Sequence, residues 1–129
     1  MKVLAAALLS LSLAACSSVP SATPSAAPCA QADADNVVAI SASNLRFSTS
    51  CLEAPADTAF TVRLTNNDGV PHDVAIFRDS TFSDPVVQGD PFPGPGVTKD
   101  VAVQALPAGT YYFQCIVHPA DMHGTVAVQ

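Results

Sequence analysis

The chain has 129 residues, enough for one domain and short for two. Five Lys and Arg against eleven Asp and Glu give a formal net charge of −6, which excludes the basic footprint that nucleic-acid binding requires. Charged residues make up only 12% of the chain, about half the usual share, partly because the N-terminal stretch is so rich in Ala, Ser and Pro.

Lys2 supplies a minimal positive region, and residues 3–15 form an apolar run broken only by Ser10 and Ser12. The run falls short of the roughly 20 residues that span a bilayer. It suits the hydrophobic part of a secretory signal. It ends in Leu13-Ala14-Ala15-Cys16, which resembles the lipobox of bacterial lipoproteins, where a Cys after small residues is diacylated on sulfur and becomes the mature N-terminus. The resemblance implies a lipoprotein signal peptide over 1–15 and a lipid on Cys16. The domain would then be exported and anchored to the cell membrane or outer membrane, facing the periplasm or extracellular space. The competing reading is an ordinary signal peptide followed by an incidental Cys. Residues 16–28 hold this Cys and the uncharged stretch SSVPSATPSAAP. That stretch cannot bury a core and reads as a flexible tether, reaching roughly 37 Å at about 3.1 Å per residue.

The folded domain is expected over 29–129. If Cys16 carries lipid and Cys115 belongs to the cluster described below, Cys29 and Cys51 remain of the four Cys. An exported chain meets an oxidising compartment, where two such residues most simply pair. Two free thiols are the alternative.

From residue 30 onward no apolar stripe of helical period is present. Short β-rich runs occur at 36–41, 45–49, 58–66, 72–78, 97–104, 109–115 and 124–129. Alternation is clean at 58–64, where Phe60, Val62 and Leu64 share one face. NNDG at 66–69 and LPAG at 106–109 supply residues that tolerate positive φ or pre-set a turn. GDPFPGPG at 89–96 breaks the strand rhythm with a stiff, partly apolar loop. The pattern predicts an all-β sandwich of two sheets. An immunoglobulin-type sandwich is disfavoured, since the chain has no Trp and Cys29 lies too close in sequence to Cys51.

FQCIVHPADMHG, residues 113–124, crowds one Cys, two His and one Met into a chain with three His and two Met in all. Cys115 ends an apolar strand, and His118 and Met122 follow before the next strand resumes. Sulfur and imidazole ligands select copper or zinc over magnesium or calcium. The His outside the cluster is His72. Together His72, Cys115, His118 and Met122 make the trigonal two-His, one-Cys set with a weak axial Met of a blue-copper centre. Taken singly, a Cys at a strand end is commonly a small buried hydrophobe and a lone His is structural. The joint pattern carries the reading.

TNNDGVPHDVAIF resembles the first-histidine segment of plastocyanin-like cupredoxins, and YYFQCIVHPADMHGTVAV is similar to their last two strands and ligand loop. The similarity covers residues 36–129. It implies a Greek-key β-sandwich of about seven to eight strands and one type 1 copper ion. It also implies a monomeric, non-enzymatic carrier of single electrons, meeting a protein donor and acceptor transiently. By the same resemblance His118 lies nearest the surface, ringed by Val70, Pro71, Phe92, Pro93 and Pro119. Acidic residues farther out would steer a basic partner. Two positions depart from the pattern. Relatives often carry Asn where this chain has Asp73, and a carboxylate there would lower the potential unless it points outward. His123 adjoins Met122; neighbours in a strand face opposite ways, so His123 is expected at the solvent side.

Two other classes compete. A copper enzyme of this lineage needs further sites built from several His, and a binuclear centre needs a second Cys in the ligand loop; the chain offers neither. A copper-binding and delivery lipoprotein without redox partners is the stronger rival.

Overall fold

The computed structural model describes residues 28–129. The expected signal peptide, Cys16 and the tether through residue 27 lie outside the described residues. Ten strands form two packed sheets: β1 (Ala30–Gln31), β2 (Val37–Ser43), β3 (Arg46–Phe47), β4 (Cys51–Ala54), β5 (Phe60–Asn66), β6 (Ala75–Phe77), β7 (Pro85–Gln88), β8 (Val97–Val103), β9 (Gly109–Gln114) and β10 (His123–Val128). One sheet runs β1-β4-β10-β9-β6-β7 and the other β3-β2-β5-β8. No helix occurs among the described residues. The expected all-β sandwich is the observed architecture.

The core lies between the sheets, where period-2 alternation points apolar side chains inward. Val38, Ile40 and Ala42 of β2 and Phe60, Val62 and Leu64 of β5 meet Leu52, Ile76, Phe113, Val126 and Val128 of the facing sheet. The pairs β2–β5 and β4–β10 are parallel, with Ile40 opposite Leu64 and Val126 opposite Leu52. Parallel neighbours need crossover connections, so the chain passes repeatedly between the sheets.

All seven expected runs contain strands, but two are much shorter than expected. In 45–49 only Arg46–Phe47 pairs, because Asn44 and Leu45 both have positive φ and form the tight turn from β2. In 72–78 the ladder begins at Ala75. His72 instead makes an isolated bridge with Phe92, drawing the proline-rich loop onto this segment. Three strands were not visible as runs. β4 reads CLEA and lacks β-branched residues. β7 starts on Pro85 at a sheet edge, where a missing N–H costs no ladder bond. β1 has two residues, too few to show any period.

β1 is held by more than its ladder. Cys29 and Cys51 are joined by a disulfide across 22 positions, beside the Ala30–Leu52 register pair. Closing such a loop stabilises the fold by about 3 kcal/mol on the chain-entropy account. Replacing both Cys by Ser should lower unfolding free energy by about that amount in urea titration. Peptide mapping without reductant should recover the linked pair.

Candidate metal centre

The centre lies at one end of the sandwich, where three loops converge. Cys115 follows β9 directly, and its N–H donates to the Met122 carbonyl at 2.8 Å, pinching the loop between β9 and β10. Inside the pinch, His118 N–H donates to the Cys115 carbonyl at 3.2 Å and Met122 N–H to the His118 carbonyl at 3.1 Å. Gly124 is required just beyond, because a Cβ there would stand 2.2 Å from the Ser50 carbonyl oxygen. The last two donors are thereby fixed by backbone bonds as well as by side-chain packing.

His72 comes from the other side. Its N–H and carbonyl exchange bonds with Phe92 at 3.1 and 3.0 Å. Asn66, fully buried, ties this region together. Its amide donates to the Val70 and Phe92 carbonyls, both at 2.9 Å, and its Oδ1 accepts the Asp68 N–H at 2.9 Å. Gly94 rests so closely on Asn66 and Asp68 that a Cβ would meet the Asp68 carbonyl oxygen at 2.3 Å. The GDPFPGPG segment therefore braces the His72 loop.

These loops bring His72, Cys115 and His118 together, their donor atoms all within 4.8 Å of one another. The Cys115 Sγ lies 3.8 Å from His72 Nδ1 and 3.7 Å from His118 Nδ1. Bonds of about 2.0–2.1 Å to imidazole and about 2.3 Å to sulfur, splayed by about 120°, separate nitrogen and sulfur by about 3.7–3.8 Å. The donor set thus fits a soft transition-metal ion in both chemistry and spacing. Burial pushes the Cys115 thiol up, outweighing the backbone N–H groups of Asp73 and Val117 that favour its charged form. Without metal the sulfur carries its proton, which an incoming cation displaces.

His72, Cys115 and Met122 are fully buried, while His118 is half-buried. Met122 and His123 fall on opposite sides: His123 is exposed, its ring 6.1 Å from that of Phe82. The apolar rim differs from the expected one. Phe92 is 3% exposed and belongs to the core, because its backbone bridge to His72 turns the ring inward, where Lys99 Nζ lies 5.4 Å from its centroid. Pro71, Pro93 and Pro119 are exposed, as are Val70, Ile116 and Val117, each within two residues of a ligand in sequence.

Asp73 does not point outward. It is 1% exposed, and its Oδ1 accepts the Ile116 N–H at 2.9 Å, bracing the ligand loop. Its Oδ2 is buried without a partner. Burial pushes this carboxyl up, outweighing the Ile116 N–H bond that favours its charged form. Asp68, which sequence reasoning treated only as a turn residue, sets its Oδ2 2.9 Å from His72 Nε2. Backbone N–H of Leu45, His72 and backbone N–H of Asn44 hold its carboxyl below the usual range. The available signal was its place four residues before His72.

The raised Asp73 carboxyl means that the folded, metal-free protein binds this proton more tightly than the unfolded chain. Its stabilising contribution is full below the unfolded-state pKa and is lost as pH rises through the folded value. Asp73→Asn keeps the acceptor for Ile116 and removes the charge. It should stabilise the metal-free protein at pH 7 by roughly 1–2 kcal/mol. Chemical denaturation at several pH values should show the gain shrinking towards pH 3.

The sequence matches the family described as cupredoxin-like domain over residues 4–128. A search of curated proteins found no match. Among solved structures, auracyanin from Roseiflexus castenholzii aligns with a TM-score of 0.64 at 19% identity, over 75% of this chain and 99% of that one. Auracyanin A of Chloroflexus aurantiacus, described as a "blue" copper protein, gives 0.62 at 21% identity, over 72% and 98%. A reduced variant of amicyanin gives 0.54 at 25% identity, over 82% and 95%. These likenesses show the fold, and the family match extends it across nearly the whole sequence: the chain belongs to the cupredoxin-like domain family.

Proposed function

We propose that this protein is a type 1 copper protein that carries single electrons between redox partners at the outer face of a membrane. The observation that carries the reading is the buried triangle of His72 Nδ1, Cys115 Sγ and His118 Nδ1, with sulfur–nitrogen distances of 3.8 and 3.7 Å. Met122, buried beside them in the same pinched loop, would supply a weak fourth donor. A bound copper ion supplies a one-electron change between Cu(II) and Cu(I). The protein keeps its ligands in place through that change by tying each ligand loop with backbone bonds, which keeps reorganisation small. The description of auracyanin A as a "blue" copper protein agrees with this donor set.

Burial favours carriage over delivery. Ion release requires solvent or an acceptor to reach the ligands, yet Cys115 and His72 are fully buried. An electron needs only close approach of one ligand edge. His118 offers that edge, in a surface containing Val70, Ile116 and Val117, each about two-fifths exposed. An apolar collar excludes water from a transient contact. The net charge of −6 would speed encounter with a basic partner in a salt-dependent way. We read the protein as a carrier and not an enzyme, since the third His, His123, stands apart at the solvent side. The anchoring reading rests on the lipobox resemblance at Cys16.

Copper-loaded protein should show an intense visible thiolate-to-Cu(II) band and fast, reversible reduction. Cys115→Ser should abolish the band. A colourless Cu(I) form that resists oxidation and passes readily to apo-acceptors would instead establish delivery. Met122→Leu should raise the reduction potential, while His123→Ala should leave potential and spectrum unchanged; the reverse pattern would give the axial place to His123. Fractionation of cells expressing Cys16→Ala should find the domain in the soluble exported fraction with its copper site intact, and unchanged membrane association would refute anchoring through Cys16.

A further inference from the structure

The network behind His72 extends into the opposite sheet. Asn44 and Leu45, the turn between β2 and β3, have φ of 54° and 57°. Two consecutive residues in this left-handed region aim their N–H groups to the same side, forming an anion-binding concavity. Asp68 occupies it: Oδ1 accepts the Asn44 N–H at 2.7 Å and Oδ2 accepts the Leu45 N–H at 3.0 Å. For a residue such as Leu the left-handed conformation costs free energy and persists only when its surroundings enforce it. Here the enforcing group is a carboxylate whose other contact is a ring of the metal centre.

That contact has a defined polarity. A carboxylate only accepts hydrogen bonds, so the 2.9 Å contact between His72 Nε2 and Asp68 Oδ2 requires the proton on Nε2. The neutral ring then leaves Nδ1 bare, and Nδ1 is the atom facing Cys115 Sγ. Ring orientation follows as well, because one end is tied to Asp68 and the backbone is tied to Phe92. We propose that Asp68 is the positioning residue of the metal centre: held by the Asn44–Leu45 turn, it locks His72 in the metal-binding tautomer and lowers the reduction potential. The second effect rests on the copper reading above; the first does not. A carboxylate polarising Nε2–H makes imidazole a stronger donor, and the more highly charged Cu(II) gains more from it than Cu(I).

Two measurements test this. In the metal-free protein, long-range proton–nitrogen correlation NMR should show His72 protonated at Nε2 and bare at Nδ1, with a slowly exchanging proton. In Asp68→Ala that proton should exchange much faster and the tautomer preference should be lost. In the copper-loaded protein, Asp68→Asn removes the charge with little change of shape. It should keep the visible band while reducing affinity for Cu(II) about tenfold relative to Cu(I), a rise of about 59 mV in potential. Asp57→Asn makes the same change of charge at the opposite end of the sandwich, where Asp57 N–H donates to the Leu106 carbonyl. It should not move the potential. A wild-type His72 with its proton on Nδ1 would overturn the proposal. So would an Asp68→Asn potential equal to wild type, or equal shifts from Asp68→Asn and Asp57→Asn. If wild-type protein takes up no copper, the functional reading fails, and the metal-free NMR measurement still decides the role of Asp68.

Discussion

Two imidazole nitrogens and a sulfur converge within 4.8 Å, and a weak S–H donor cannot by itself hold two imidazoles so close. The arrangement must be imposed by the chain around it. Three restraints impose it: the Cys115–Met122 backbone bond, the two-way bridge between His72 and Phe92, and the Asn66 amide that ties Val70 to Phe92. Each is anchored on a strand of the sandwich or on a loop packed against one, so core packing between the sheets is what keeps the donors in register. A loosened core would be felt at the centre first, since a protein interior transmits strain instead of absorbing it.

The same restraints make the donors unequal. His72 and Cys115 are sealed in, whereas His118 sits in the short loop between strands and remains half-buried. A rigid inner pair with one ligand near the surface suits a centre that must change charge without changing shape. The exposed Val70, Ile116 and Val117 add apolar surface beside the ligands, on a chain whose acidic residues outnumber its basic ones.

Several of the sites that break local rules touch this network, although Asn36, Asp57 and Phe82 also hold positive φ. Asp73 buries a carboxylate oxygen without a partner, and Asn44 and Leu45 hold left-handed conformations. None of these choices favours stability taken alone. Each is explained by what it holds: Asp73 braces the backbone at Ile116, and the Asn44–Leu45 turn cradles Asp68. Departures from local preference are expected to gather at functional sites, where surrounding structure maintains them.

The donor residue types and much of the sandwich were legible in the linear chain. Alternation in Phe60, Val62 and Leu64 declares a half-buried strand, and the crowding of Cys115, His118 and Met122 declares soft-ligand chemistry, because both signals depend on neighbours in sequence. The short strands β1, β4 and β7 were not legible, since their partners rather than their composition make them strands. Nor was the inward turn of Phe92, which follows from its bridge to His72, or the inward turn of Asp73, which follows from an N–H 43 positions away. Asp68 reads as an ordinary turn residue until the β2–β3 turn is brought against it from 23 and 24 positions upstream. Local pattern determined which atoms the chain can offer to a metal. Only the tertiary structure decided which of them are buried, which ring nitrogen carries the proton, and which acids stand behind the ligands, because hydrogen bonds between distant loops have no periodicity in sequence.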